Sequence, residues 1–444
     1  MKKLTFSGGI HPAGNKEATE KKPLIALDPP ELLYLPLSQH IGAPLKPIVS
    51  VGDTVLRGQK IADSDAFVSV PLHASVSGRI KDIGNYVNHT NTPVPTIVIE
   101  NDGQDTWAEP ITSKNPEDLT PDEMRKIIRE AGIVGMGGAA FPTHVKLSPP
   151  PDKEITHLII NAAECEPYLT ADRRVMLEMT DDIIGGLRCL MRLLSLNECY
   201  VGVEDNAPEA ICALKEKADD SMHILELKKK YPQGSEKHLI NAITGKEVPM
   251  GALPMDVGCI VINVGTVATI YQALSQGIPL HQRVVTVSGD AVMEPQNLLV
   301  RLGTPFQALT DACGGFRQEP HKIIMGGPMM GIAGVSLDIP VVKGTSGVLA
   351  FSEKASHIPQ ESMCIRCGRC VNACPMNLMP TTLDLYSRLG DIETLQKYNL
   401  MNCIECGSCT FVCPAKRYLV QSIRMGKAKL NARKAKDKAK EGNK

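Results

Sequence analysis

Short apolar runs separated by turn residues fill residues 31–100, as in segments 47–53 and 55–61. Runs of this length between Gly- and Pro-containing turns are typical of short β-strands. From about residue 109, helical and strand patterns alternate, which indicates a mostly parallel sheet. Residues 284–337 return to short Val/Ile runs with Gly-rich loops and predict a small mixed sheet. The pattern therefore predicts a multi-domain α/β protein.

The one long uncharged stretch, residues 257–280, is long enough to cross a bilayer. It contains Asn263, Pro279 and three glycines, however, so a strand, a turn and a helix inside a protein core are the better prediction. The first residues, MKKLTFSGGIHP, carry two lysines but no apolar segment and no small-residue cleavage site. We therefore expect the chain to stay in the cytoplasm and to meet a membrane only through partners or a surface patch.

Length and charge further limit the number of domains and the class of protein. The 444 residues suggest about three domains or more, and 48 basic against 49 acidic residues argue against a protein coated for nucleic acid. Residues 424–444 hold nine Lys/Arg and two acidic residues, a net charge of +7. Such a basic tail can contact anionic lipid or an acidic partner, and a solvated disordered tail explains it equally well.

Cysteine usage points to a redox centre. In a reducing cytosol, 14 cysteines are expected as metal ligands rather than as disulfides. Eight of them form two copies of C-x2-C-x2-C-x3-C-P, and in two-cluster ferredoxins the fourth cysteine of each copy binds the other cluster. Zinc knuckles are the alternative, but the repeated spacing with a terminal Cys-Pro favours iron–sulfur clusters. The predicted ligands are Cys364, Cys367, Cys370 and Cys413 for one [4Fe-4S] cluster, and Cys403, Cys406, Cys409 and Cys374 for the other.

A glycine-rich segment, residues 132–146, is the densest signal in the central part of the chain. Missing side chains let backbone N–H groups approach a phosphate, and Lys146 can add positive charge. The segment does not fit G-x-G-x-x-G, so a standard Rossmann site is not predicted, and a plain turn explains it as well. Three predicted strands end in Asn161, Glu204 and Asn263, and open α/β sheets bind ligands at the carboxyl ends of their strands.

Two further segments carry carboxylates that could face a ligand. Residues 161–167 follow a strand and contain Glu164 and Glu166, and residues 231–236 form a later loop that ends in Glu236. Two glutamates beside an amide can hold ribityl or ribose hydroxyls. Taken singly, each segment is more often an ordinary solvated loop.

The motif G-x-G-G-A-x-F-P-T-x-x-K, followed by N-A-x-E-x-E-P, resembles the FMN- and NADH-binding core of the flavin subunit of respiratory complex I. The resemblance implies FMN and NAD(H) as cofactors. Met136 and Ala163 stand where that subunit has arginine and aspartate. The resemblance places Gly135, Gly137, Gly138 and Lys146 at the flavin phosphate and nicotinamide, Phe141 against the dinucleotide, Asn161, Glu164, Tyr231, Gly234 and Asn263 on FMN, and Glu166 and Glu236 on FMN or NADH.

Two flanking segments also resemble known modules. Residues 49–61 are similar to the V-x-x-G-D-x-V-x-x-G-Q-x-I pattern of biotinyl and lipoyl barrel-sandwich domains. Those domains modify a lysine at a hairpin tip, which segment 65–73 lacks, so a docking or covering role is expected instead. Residues 284–337 resemble a soluble-ligand-binding β-grasp domain.

The order of the modules, from Gly8-Gly9-Ile10-His11-Pro12 to the cysteine repeats, resembles the C-subunit family of Rnf electron-transport complexes over nearly the whole chain. The resemblance implies an NAD-linked oxidoreductase subunit of a membrane complex that exchanges electrons between ferredoxin and NAD and moves Na⁺ or H⁺. It implies peripheral attachment at the cytoplasmic face, with other subunits as partners and ferredoxin as an indirect one. Conversion of a hydride into single electrons depends on cofactor placement, so no catalytic side chain is predicted.

Two alternatives stay open. A cobalamin reductase of bacterial microcompartments would use the same chemistry, although its barrel-sandwich module is expected near the C-terminus. An adaptor without flavin, whose clusters only relay electrons, would fit the changes at Met136 and Ala163. The expected domains are an arm (1–30), a barrel-sandwich domain (31–108), an FMN/NADH-binding Rossmann-like domain (109–280), a β-grasp domain (281–350), a two-cluster ferredoxin-type domain (351–423) and a basic tail (424–444).

Overall fold

The computed structural model describes residues 3–441, and its N-terminal part is built from short strands. These are β1 (Leu24–Ala26), β2 (Leu32–Pro36), β3 (Lys46–Pro47), β4 (Thr54–Val55), β5 (Lys60–Asp63), β6 (Leu72–His73), β7 (Gly78–Val87) and β8 (Pro93–Asn101). Two antiparallel sheets, β2-β8-β7-β4 and β3-β5-β6, form the barrel-sandwich module. Along β2, Leu33 and Leu35 are fully buried between less buried neighbours, as expected for a strand with one face on a core.

A four-stranded parallel sheet organises the central module in the order β11-β10-β9-β12, which confirms the parallel sheet predicted from the alternating pattern. Its elements are α1 (Pro121–Glu130), α2 (Thr143–Lys146), β9 (His157–Ala162), α3 (Ala171–Glu178), α4 (Thr180–Leu194), β10 (Cys199–Glu204), α5 (Pro208–Lys217), β11 (Met222–Leu227), α6 (Glu236–Thr244), β12 (Cys259–Asn263) and α7 (Val264–Gln276).

The uncharged stretch 257–280 forms β12 and α7, as predicted. Asn263 begins the helix, because its side chain accepts hydrogen bonds from the N–H groups of Gly265 and Thr266. None of the helices described between residues 3 and 441 combines the length and the apolar character needed to span a bilayer.

The third module is a mixed sheet, which confirms the prediction for residues 284–337. Its elements are β13 (Gln282–Ser288), β14 (Gln296–Arg301), α8 (Phe306–Ala312), β15 (Lys322–Met325), β16 (Ile332–Gly334) and β17 (Gly347–Phe351). The sheet has the order β1-β14-β13-β17-β15-β16, so its edge strand comes from the N-terminal arm. The arm therefore completes a sheet that lies more than 250 residues further along the chain.

Five short helices and one long helix surround the described cysteine repeats. They are α9 (Glu353–Ser356), α10 (Arg369–Ala373), α11 (Pro380–Leu389), α12 (Ile392–Lys397), α13 (Ser408–Phe411) and α14 (Leu419–Glu441). Leu383, Leu395 and Ile423 are almost fully buried and form a separate core between α11, α12 and α14. The first part of the basic tail continues α14, with residues 431–437 exposed, and residues 442–444 lie outside the described part of the chain.

A buried lysine joins the first three modules. Lys343, in the loop before β17, is inaccessible to solvent, and its Nζ donates to the carbonyls of Pro71 and Gly132 at 2.7 Å each. Burial lowers the pKa of Lys343 to about 7. The buried guanidinium of Arg283 donates to the carbonyls of Lys343 and Met136. Lys343 and Arg283, both from the third module, thus bind backbone carbonyls of the glycine-rich segment.

Candidate flavin cavity and cysteine sets

A cavity of about 460 Å³ opens where β9 and β12 end and the glycine-rich segment passes over them. This volume lies in the usual range for cofactor sites. The parallel register places Asn161 of β9 directly beside Asn263 of β12, so both strand ends contribute an amide to the wall. Of the residues predicted to contact flavin or dinucleotide, the wall includes Gly135, Gly137, Gly138, Phe141, Lys146, Asn161, Gly234, Glu236 and Asn263.

Two opposite charges face each other in this cavity. The Nζ of Lys146 forms an ion pair with Glu236 and donates to the carbonyl of Val261 at 3.1 Å. Both side chains stay about one-third exposed, so a ligand can reach them. A phosphate would be attracted to the ammonium group, and sugar hydroxyls could donate to the carboxylate.

The glycines in the wall are required by close backbone approach. A Cβ atom on Gly137 would lie 2.7 Å from the amide nitrogen of Asn263, and one on Gly234 would lie 2.4 Å from the carbonyl oxygen of Ala163. Asn161 donates to the carbonyl of Gly234 at 2.7 Å and so holds the two loops together. The wall is therefore a fixed surface rather than a loose turn.

The fit of the cavity to FMN can be tested on its polar atoms. The hydroxyl of Thr143 is buried in the wall and has no hydrogen-bond partner among the described residues. An unpaired buried hydroxyl costs free energy unless a ligand or water satisfies it. Together with the lysine and the glycine-rich backbone, this hydroxyl suits a phosphorylated, hydroxyl-rich ligand such as FMN. Sequence reasoning missed Thr143, although it lies inside the quoted motif.

Three residues predicted to contact FMN or NADH lie outside the cavity wall. The Glu164 carboxylate accepts from the Asp172 N–H at 3.0 Å, and its second oxygen has no hydrogen-bond partner among the described residues. Glu166 accepts from the N–H groups of Met329 and Met330 at 3.0 Å each. Tyr231 is almost fully buried, and its hydroxyl points towards the cysteine repeats rather than the cavity.

One of the two positions that differ from complex I, Met136, is accounted for by its contacts. Met136 is buried, its N–H donates to the Thr266 hydroxyl at 2.9 Å, and its carbonyl accepts from Arg283. Asn263 donates to the Asp172 carboxylate at 2.8 Å behind the same segment. Sequence reasoning missed Arg283 and Asp172, because nothing local connects them with residues 132–146.

The third predicted strand end, Glu204, faces a separate cavity of about 240 Å³ lined in part by Lys16, Cys165 and Tyr231. Its side chain is only 3% exposed and accepts from the Lys230 N–H at 3.3 Å. Burial raises the pKa of Glu204 to about 7.

This raised pKa predicts a pH-dependent stability. Between the usual glutamate pKa and pH 7 the folded chain holds a proton that the unfolded chain releases, so Glu204 costs stability as the pH rises through this window. We expect Glu204→Gln to stabilise the chain by about 2 kcal/mol at pH 8 and by less than half of that at pH 5. Thermal unfolding midpoints at the two pH values measure the effect, with the exposed Glu216→Gln as the control. An equal shift at both pH values would contradict the prediction.

The structure brings together one of the two predicted cysteine sets, which we call the inner set. The inner set, Cys374, Cys403, Cys406 and Cys409, lines one small cavity and thus combines the last cysteine of the first repeat with three of the second. Burial, followed by the neighbouring Cys403 and Cys406 thiols, raises the pKa of Cys409. The ligand set predicted for this cluster is therefore brought together.

The outer set consists of Cys364, Cys367, Cys370 and Cys413. Burial raises the pKa of Cys370, and the thiols of Cys413 and Cys364 act in the same direction. Cys413 packs against the apolar cluster that contains Cys370. Cys370 and the inner cysteine Cys409 pack in one apolar cluster, which makes the two sets neighbours.

The spacing of the thiols can be compared with the needs of different metals. Within residues 3–441, no three ligating side chains converge closely enough to hold a single metal ion. Each thiolate of a [4Fe-4S] cube binds a different iron, so its four ligands stand further apart than those of one tetrahedral zinc ion. The four cysteines that line one cavity match the ligand number of a [4Fe-4S] cube.

Family models match successive parts of the chain. Residues 4–104 match the RnfC barrel sandwich hybrid domain, 128–272 the Nuo51 FMN-binding domain, 284–333 the SLBB domain and 363–417 the 4Fe-4S dicluster domain. These matches confirm the predicted multi-domain α/β class and the predicted FMN, NAD(H) and iron–sulfur cofactors. A crystal structure of an NAD⁺-reducing [NiFe]-hydrogenase, 18% identical, covers 71% of this chain and 64% of its own with a TM-score of 0.51, and supports the fold.

Full-length relatives are more similar. The C subunit of the proton-translocating ferredoxin:NAD(+) oxidoreductase complex of Clostridium ljungdahlii is 52% identical, with 98% of this chain and 96% of the relative covered. The C subunit of the Na(+)-translocating ferredoxin:NAD(+) oxidoreductase complex of Acetobacterium woodii is 47% identical, with 98% and 99% covered. The C subunit of an ion-translocating oxidoreductase complex of Rhodobacter capsulatus is 43% identical, with 98% and 85% covered.

Proposed function

This chain belongs to the family of C subunits of Rnf-type ion-translocating ferredoxin:NAD⁺ oxidoreductase complexes, and from that premise we propose that it is the subunit where NAD(H) exchanges electrons with the complex. The relatives are named for different coupling ions, protons in one and Na⁺ in another, so either ion suits the proposal. Ferredoxin would exchange electrons with this chain only through other subunits. The full-length identities favour this function over the cobalamin-reductase alternative.

Different residues of the cavity would bind different parts of the two cofactors. Lys146 and the backbone of Gly135, Gly137 and Gly138 would hold the flavin phosphate and leave room for nicotinamide, and Phe141 would pack against the dinucleotide. Bound FMN supplies the conversion between hydride transfer and single-electron transfer. The remaining proposed contacts to FMN are Asn161, Gly234, Glu236 and Asn263 from the wall. Glu164, Glu166 and Tyr231 lie outside the wall and would act on the site only through their neighbours.

One loop connects the flavin cavity with the inner cysteine set, and this observation carries the proposal. Gly234 and Glu236 line the cavity, whereas the hydroxyl of Tyr231, on the same loop, donates to the carbonyl of Cys406 at 2.7 Å. His238, in the first turn of α6, bonds through Nε2 to the carbonyl of Pro375 at 3.0 Å. We therefore place the inner cluster next to the flavin and the outer cluster after it.

The N-terminal arm supports the same junction. Gly9 donates to the carbonyl of Ala373 at 3.1 Å, and Ile10 pairs with Tyr231 through both backbone groups. Ile10, Tyr231, Ala373 and Cys406 share a small buried core. The inner cysteine set is therefore fixed against the flavin module by backbone and side-chain contacts together.

Tyr231→Phe tests this contact. The variant keeps the ring in its core and leaves the Cys406 carbonyl without its donor, and hydrogen bonds around a cluster tune its potential. We expect NADH to reduce FMN at the parent rate, the inner cluster to be reduced about tenfold more slowly, and its potential to shift. Stopped-flow absorbance and redox-titrated EPR measure the two quantities. Tyr200→Phe, which removes a hydroxyl bonded to Glu198 on the surface, is the matched control. Unchanged rate and potential in Tyr231→Phe would disprove the role.

The function itself is tested anaerobically. The chain is purified with its clusters intact, saturated with FMN and mixed with NADH while flavin and iron–sulfur absorbance are followed together. Bleaching of both supports the proposal. If NADH leaves both oxidised while dithionite bleaches the clusters, the chain is the flavin-free relay instead.

We also propose peripheral attachment of the chain to the cytoplasmic face of a membrane complex. The basic, exposed end of α14, residues 431–437, supports this placement, because lysine and arginine on such a helix favour anionic lipid headgroups or an acidic subunit.

A further inference from the structure

The two cysteine sets differ in access to solvent. Tyr231, the N-terminal arm and Met329 cover the inner set. The carbonyl oxygen of Met329 would lie only 3.0 Å from a Cβ atom on Gly407. In the outer set, Cys364 and Cys367 are exposed. A cluster held by the outer set would therefore meet the surface directly.

The surface around Cys364 has an apolar centre. Met363 is 87% exposed and Ile365 is 68% exposed, on either side of this cysteine. Two large apolar side chains thus lie at the surface beside a predicted cluster ligand.

Cationic side chains surround this centre. Arg366 and Arg369 are exposed on the same loop, and the bond from the Ser362 N–H to the Ala415 carbonyl, at 2.9 Å, brings Lys416 beside it. We call Met363, Ile365, Arg366, Arg369 and Lys416 the outer rim.

The nearby carboxylates are already engaged by other arginines. Glu361 pairs with Arg388, and Asp384 pairs with Arg388 and Arg417. The three cationic side chains of the outer rim thus give the surface around the outer cysteines a positive charge that these carboxylates do not neutralise.

We propose that the outer rim is the docking surface for an acidic iron–sulfur domain of another subunit of the complex. This inference rests on the proposed function. A cluster held by Cys364, Cys367, Cys370 and Cys413 would supply one electron to the iron–sulfur centre of the partner, being oxidised as that centre is reduced, with no bond formed or broken. Opposite charges around a small apolar centre give fast, oriented and salt-sensitive association. A resident subunit is favoured because the apolar centre is small, and a tethered partner needs little interface area to stay near.

The test uses the whole purified complex with Arg366→Glu/Arg369→Glu in this chain. NADH should reduce FMN and both clusters of the chain at parent rates, while electrons reach the remaining centres at least tenfold more slowly. Raising the salt concentration should slow the parent and leave the variant unchanged or faster. Lys416→Glu, which lies outside residues 364–370, is a second variant and should slow the same step. Iron content and EPR show whether both clusters are present in each variant.

The control is Arg188→Glu/Lys215→Glu, a charge reversal at exposed positions on α4 and α5. This control should transfer electrons at the parent rate. The amounts of the other subunits retained after purification at low and high salt give a readout that does not depend on turnover. The outer-rim variants should lose these partners at a lower salt concentration than the parent.

The outcomes separate the two proposals. If NADH fails to bleach flavin and clusters in the parent chain, the proposed function fails. If the parent is active and the outer-rim variants pass electrons as fast as it does, or slow equally at every salt concentration, the docking proposal is wrong and the function stands. If an added free acidic two-cluster ferredoxin takes electrons from the isolated chain with the same rim and salt dependence, the occupant is a mobile carrier and the assignment to a resident partner is overturned.

Discussion

Replacing Cys374 with alanine is expected to remove the inner iron–sulfur cluster and to leave the outer one in place, although Cys374 belongs to the first repeat. The reason is the crossing of ligands, since Cys374 lines the cavity of Cys403, Cys406 and Cys409. A [4Fe-4S] cube that loses a thiolate ligand is no longer held at all four corners. Iron content should fall by about half. Electron flow from NADH to the outer cluster should fall by about a hundredfold if, as proposed, the inner cluster lies between the flavin and the outer cluster.

Four variants distinguish crossed from uncrossed ligation. With crossing, the EPR spectrum of Cys374→Ala matches that of Cys403→Ala, and the spectrum of Cys413→Ala matches that of Cys364→Ala. Without crossing, Cys374→Ala would match Cys364→Ala, and the inner and outer sets as defined would be wrong. Cys313→Ala, at a buried cysteine outside the repeats, should keep both signals.

Gly137→Ala is expected to lower FMN affinity about a hundredfold, or about 3 kcal/mol. The new methyl group would lie 2.7 Å from the side-chain nitrogen of Asn263. That side chain cannot move freely, because it accepts from Gly265 and Thr266 at 3.0 and 3.3 Å and donates to Asp172. The glycine-rich segment must then shift into the cavity that it lines.

Gly344→Ala is the matched comparison, because Gly344 is not among the residues that line the cavity, and a Cβ atom there would come no closer than 3.4 Å to the Gly138 carbonyl oxygen. Its effect on FMN affinity should stay below tenfold. Titration calorimetry on the cluster-loaded chain measures both variants, and unchanged iron content shows that the fold is retained. Equal FMN affinity in Gly137→Ala and the parent would mean that the segment is only a turn.

The sequence predicts the site best where chemistry is encoded locally. The cysteine spacing is a local pattern, and together with the ligation known for two-cluster ferredoxins it gives both predicted ligand sets. The structure brings the inner set together. Asn161 and Asn263 follow from a general rule, because parallel strands in register bring their carboxyl ends to one edge.

Residues with non-local partners could not be assigned in this way. Tyr231 and Gly234 lie on one loop, yet Tyr231 contacts Cys406 and Gly234 lines the cavity. No sequence pattern gives the direction in which each residue of such a loop points. Lys343 and Arg283 stand among apolar residues, and the carbonyls that bind them belong to distant segments. The pairing of β1 with β14 is similar, because a three-residue strand carries too little pattern to identify its partner.

The N-terminal arm also sets an order of events during synthesis. Its strand β1 has no sheet to join until β14 has been made, and Gly9 has no acceptor until Ala373 has emerged from the ribosome. Domains generally fold as they are synthesised, from the N-terminus onwards, so the barrel-sandwich module can close while the arm still waits. Leu4 and Ile10 pair with Glu226 and Tyr231, which are made before β14 and Ala373. The arm can therefore dock on the flavin module first, and the third module and the ferredoxin-type module can then assemble against an arm that is already in place.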